Sequence, residues 1–81
     1  MSSDWKYITF EDYYTGMVMV VFPSGLIHAQ VARSLCGGRD AVKSAGFVSA
    51  DLTCYGLSES LNIVSNPEVD NKLLAKLTKR D

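Results

Sequence analysis

The sequence predicts a small α+β domain in the order β-β-α-β-β(-β)-α, with two helices packed on an antiparallel or mixed sheet. Three observations carry that expectation. The chain opens with runs rich in aromatic and β-branched residues, which suit a pleated surface. Two later segments carry helix start and stop residues around an apolar repeat, and short extended runs lie between them. With 81 residues there is room for one domain, 1–81, whose ends at 1–4 and 78–81 are expected to fray.

The first element, "KYITF", reads as a strand, and "EDYYTG" reads as the turn after it. "MVMVVF", Met17 to Phe22, is too short for a helix that ends at Pro23. It is apolar on both faces, so it reads as a central strand, paired with the first as a hairpin. "PSGLIHAQVARSLCGG" then carries a helix, with Ser24 as N-cap and Gly37 and Gly38 as its stop. Ile27, Val31 and Leu35 recur every four residues and are expected to form its buried face.

"RDAVK" reads as a loop. "SAGFVSA" and "TCYGL" read as strands joined by a turn around Asp51, and "SLNIV" continues the extended pattern. In "GLSES" an extended chain would place Ser58 and Ser60 on one face. The last helix is signalled by Ser65 and Glu68 as a capping box and by Pro67 in its first turn. Val69, Leu73 and Leu77, with Leu74 beside them, are its expected apolar stripe.

Bulk composition narrows the function classes. Apolar residues make up 47% and charged residues 21% of the chain, so a body this small has little polar covering. Self-association is therefore expected. Net charge is -1, without the basic stripe that phosphate contacts require. Only Lys72, Lys76, Lys79 and Arg80 are locally basic, and cations at a helix C-terminus also suit its dipole. Nucleic-acid binding through that helix stands as a third alternative. The N-terminus lacks the pattern of a signal peptide, and the longest apolar run is six residues, "MVMVVF". A cytoplasmic protein with reduced thiols, not associated with a membrane, is expected.

Catalytic signals are poor. "GLSES" lacks the second glycine of a Gly-x-Ser-x-Gly elbow, and the only histidine, His28, precedes it. Cys36 and Cys54 show neither C-x-x-C nor His-x-x-x-His company, so no metal or cofactor is expected. "CGGRD" follows a helix instead of opening one, which disfavours phosphate binding. An alternative ligand or enzymatic site would draw on His28, Cys54, Tyr55 and Ser58, between the first helix and the sheet.

The aromatic N-terminus is the stronger feature. Trp5, Tyr7, Phe10, Tyr13 and Tyr14 are interleaved with Asp4, Glu11 and Asp12, a poor setting for base stacking. Two readings stand for it. Trp5, Tyr7, Tyr13 and Tyr14 form an interface, since Tyr and Trp are favoured at hot spots. Otherwise Tyr7 and Phe10 are core and the rest cover the sheet edge.

From Val21 onward, "VFPSGLIHAQVARSL", "SAGFVSA", "CYGLSESLNI" and "SNPEVDNKLL" are similar to segments of small uncharacterised proteins of phages and prophages. The resemblance spans about residues 18 to 77 and carries no catalytic motif. It implies a non-catalytic module that binds itself or a host or phage protein.

Overall fold

Residues 5–78 are described in the computed structural model; of the ends expected to fray, 1–4 and 79–81 lie outside them, while Thr78 lies within and its N–H donates to Leu74 O at 2.9 Å. The elements are β1 (Trp5–Asp12), β2 (Gly16–Phe22), α1 (His28–Cys36), a 3-10 turn (Arg39–Ala41), β3 (Val42–Val48), β4 (Cys54–Tyr55), β5 (Leu57–Ser58), β6 (Ile63–Val64) and α2 (Pro67–Leu77). β1 to β4 form one antiparallel sheet in the order β2-β1-β3-β4, and β5 and β6 form a separate antiparallel pair. The fold is α+β, as its sequence predicts.

Strand alternation sorts the core into two clusters, one under each helix. Ile8, Phe22 and Ala45 turn to one face and pack with Ala32 of α1. Tyr7, Met19 and Val48 turn to the other and pack with Leu74 of α2. The sheet thus lies between the two helices. This corrects the reading of β2. It is an edge strand, and β1 sits between β2 and β3. "MVMVVF" is apolar on both faces because each face has a helix cluster over it, not because strands flank it on both sides.

Both helices start differently from the sequence expectation. Ser24 does not cap α1; the cap position is Ile27, whose side chain has no polar atom. A distant hydroxyl substitutes, with Ala29 N–H donating to Ser60 Oγ at 3.2 Å. The helix is also rotated from the expected stripe. His28 and Ala32 are its buried residues, while Ile27 and Leu35 are exposed. In α2 the cap position is Asn66, and the Ser65–Glu68 box does not form. Asp70 takes over, accepting from Asn66 N–H at 2.8 Å. Asp70 and Leu74 face the sheet, whereas Val69 and Leu77 are exposed.

Between β3 and β4 the chain reverses around Asp51, with Ser49 N–H donating to Thr53 O at 3.0 Å and Leu52 N–H to Ser49 O at 2.9 Å. "GLSES" is not one extended run. It turns after Ser58, and Leu61 N–H donates to Ser58 Oγ at 3.2 Å. That turn inserts Leu61 into the cluster under α1, and Arg39 Nε donates to Leu61 O at 2.6 Å. Gly46 marks a close crossing. A Cβ there would stand 2.4 Å from the Tyr55 carbonyl oxygen, so any side chain would displace backbone.

Candidate functional site

The alternative ligand site divides between the two faces of the sheet. Cys54 pairs with Val48 and joins the cluster beneath α2, whereas Tyr55 pairs with Phe47 on the α1 side. His28 packs edge-on against Phe22 and Phe47, with centroids 5.5 and 5.7 Å away. The sheet therefore separates His28 from Cys54, and the two make no dyad. Burial, then the Asp70 charge, push the Cys54 thiol up to about 11, so it carries no thiolate near neutral pH. Ser58 is fully buried and occupied in the turn beneath Leu61.

The α2 face holds a buried polar relay that sequence reading missed. Tyr7 is not a surface residue. It is 0% exposed, and its hydroxyl donates to Asp70 Oδ2. Burial and the neighbouring carboxylate push the phenol far above its ordinary value, so it stays protonated as the donor. Ser44 Oγ donates to Asp70 Oδ1 at 2.7 Å. Ser44 has then spent its proton, so Thr9 is the donor in the 2.5 Å contact between Thr9 Oγ1 and Ser44 Oγ. Next to Asp70, Asn71 Oδ1 accepts from Cys54 N–H at 2.8 Å and fixes β4. The relay ties α2 to β1, β3 and β4. Its one sequence signal is Asp70, which lies one turn before Leu74 on the core side of α2.

On the α1 face a cleft of about 560 Å³ opens between the start of α1 and the β4–β5 segment, lined by Lys6, His28, Phe47, Tyr55, Glu59 and Ser60 among others. Phe47 and Tyr55 form one wall, with rings 5.7 Å apart and tilted by 30°. His28 lies at its base, 4% exposed, with Nε2 at 2.9 Å from Gly46 O. Burial, and to a lesser degree the Lys6 charge, hold its imidazole below the ordinary value, although the Gly46 bond pulls the other way. His28 is thus neutral, with Nε2 bearing the proton that the Gly46 carbonyl accepts. Lys6 Nζ donates to Leu26 O at 2.8 Å and braces the loop before α1. Of the four residues proposed for this site, His28 and Tyr55 do meet here; Cys54 and Ser58 do not line it.

The interface candidates scatter. Tyr13 and Tyr14 are 92% and 88% exposed at the β1–β2 turn, their rings 5.2 Å apart in an edge-on pair. Trp5 is half exposed at the opposite end of β1, roughly 25 Å away at the usual rise per strand residue. Trp5 borders a groove of about 430 Å³ with Val21, Leu52, Leu74 and Leu77. Lys72 and Lys76 lie on α2, and Lys79 and Arg80 lie outside the described residues. Among the described residues no group of His, Cys, Asp and Glu can hold a metal ion, and no helix is long and apolar enough to cross a membrane.

No protein-family model, no curated protein and no solved structure matches this chain.

Proposed function

We propose that the protein is a non-catalytic interaction module that self-associates through the free edge of β2. The carrying observation is the edge itself. β2 has β1 on one side and no strand on the other among the described residues. Its sequence, GMVMVVF, contains no charge, no proline and no inward lysine. Such an edge exposes a row of unpaired N–H and C=O groups, and folded proteins ordinarily blunt it with those same devices. Addition of a strand from a second copy satisfies the row.

A second copy is the self-consistent occupant, because a two-fold axis lets one patch meet itself. Antiparallel β2–β2 pairing sets the turn of one copy beside the Phe22 end of the other. Trp5 and Lys6 stand one strand away from that end, since Lys6 pairs with Phe22. Tyr13 and Tyr14 of one copy then approach Trp5 of its partner. Residues that scatter in one chain converge in two.

The test is a double substitution, Met17→Lys with Val18→Lys, which places a charge on each face of the edge at the start of β2. Dimer dissociation is expected to weaken at least about tenfold, with the helix signal in circular dichroism retained. An unchanged dimer in that folded variant would refute the edge.

A further inference from the structure

The cleft beside α1 has the chemistry of a built site, independent of how the chains associate. Its lining contains one cation, Lys6, and one anion, Glu59, with an aromatic wall of Phe47 and Tyr55. The Lys6 ammonium uses one of its three hydrogens on Leu26 O and keeps two. The first backbone N–H of α1, at His28, has no partner among the described residues. These groups suit a carboxylate.

His28 adds the second, independent sign. It is 96% buried, counting from its 4% exposure, and Nε2 is committed to Gly46 O. Nδ1 then carries a lone pair with no partner among the described residues, in a ring that lines the cleft. Every buried side-chain nitrogen and oxygen among the described residues has a partner, so Nδ1 is open to the cleft rather than sealed away, and a donor there can reach it. Glu59 lines the same cleft and is a second acceptor. A ligand that complements the site donates at His28 and Glu59, accepts at Lys6, and offers a flat face to Phe47 and Tyr55.

We propose that this cleft binds a small zwitterionic aromatic compound of the aromatic amino-acid type. Its ring lies on Phe47 and Tyr55, its carboxylate meets Lys6 Nζ and the His28 backbone N–H, and its ammonium meets His28 Nδ1 and Glu59.

The experiment is an NMR titration of the full chain with three probes: L-phenylalanine, its carboxamide and its N-acetyl derivative. Phenylalanine is expected to shift the backbone amides of His28, Ala29, Tyr55 and Gly56 and to saturate in the millimolar range. Each probe that lacks a charge is expected to bind about fivefold more weakly, the size of one half-exposed ion pair. Lys6→Gln should weaken phenylalanine by a similar factor and leave the carboxamide unchanged. Glu59→Gln should do the same for phenylalanine and leave the N-acetyl probe unchanged. Equal binding by all three probes, shifts confined to other surfaces, or no saturation with phenylalanine would overturn the proposal. So would a folded Lys6→Gln protein with undiminished affinity.

Discussion

The Tyr7 hydroxyl donates to the Asp70 carboxylate across the interface between β1 and α2, and both residues are 0% exposed. This contact fixes the helix on that face of the sheet by a bond that only one geometry satisfies. The carboxylate also receives Ser44 Oγ and the Asn66 N–H, so a buried charge is met by three donors. Buried polar groups are tolerated on those terms.

Removing one donor should therefore cost more than an ordinary hydrogen bond. Tyr7→Phe is expected to lower stability by about 1.5–3 kcal/mol, because the acceptor is charged and buried. Asp70→Ala should cost about 3–5 kcal/mol, since three donors lose their acceptor and a cavity opens. In the Asp70→Ala background, Tyr7→Phe should cost far less than in the wild type. Urea unfolding of the four proteins measures the cycle, and additive effects would show that the pair is not coupled.

Cys54 should resist thiol reagents in the native state. It is buried with its thiol pushed up to about 11, whereas Cys36 is partly exposed. Labelling at neutral pH is expected to modify Cys36 first and Cys54 only as the fold opens. Fast native labelling of Cys54 in a Cys36→Ser protein would contradict the placement.

Gly46→Ala should destabilise strongly although the glycine has an ordinary strand conformation. The added methyl would collide with the Tyr55 carbonyl at 2.4 Å and approach Ser65 Cβ at 3.2 Å. A shift of backbone is required, at about 2–4 kcal/mol. A thermal midpoint within a degree or two of wild type would refute the crossing.

Acid should weaken the fold through His28. Its folded value lies below its unfolded value, so the unfolded chain binds the proton more readily. The contribution is fully present above the unfolded value, about 6.5. It is lost as pH falls below that and approaches the folded value. His28→Gln, whose amide can still donate to Gly46 O, should flatten the stability profile between pH 7 and 5. An unchanged slope in that variant would place the titration elsewhere.

The fold class and the order of elements were legible because each rests on local signals: β-branched runs, glycine stops and Pro67 at a helix start. The helix faces were not. Ser24, Ile27 and Leu35 make a plausible capped stripe, yet α1 is capped by Ser60 from 31 positions away and buries His28 and Ala32. Asp70 gives no sign of its role, because a charged residue in an amphipathic helix normally faces water. Its burial depends on Tyr7 and Ser44, partners brought together by the sheet register rather than by neighbouring sequence. The cleft shows the same limit. His28 and Tyr55 meet there as their sequence positions allow, but strand alternation puts Cys54 on the other face, which only the Phe47–Tyr55 pairing reveals.

The central claim is that the bare edge of β2 is used by a second copy, and solution mass measured by sedimentation equilibrium tests it most directly. Over micromolar to millimolar concentrations the mass is expected to rise from that of one 8.9 kDa chain to twice that value and stop there. A closed two-fold pair leaves no further edge of this kind, which is why the rise should end at two. A single-chain mass at every concentration would contradict self-association through β2, and growth without limit would contradict a closed pair.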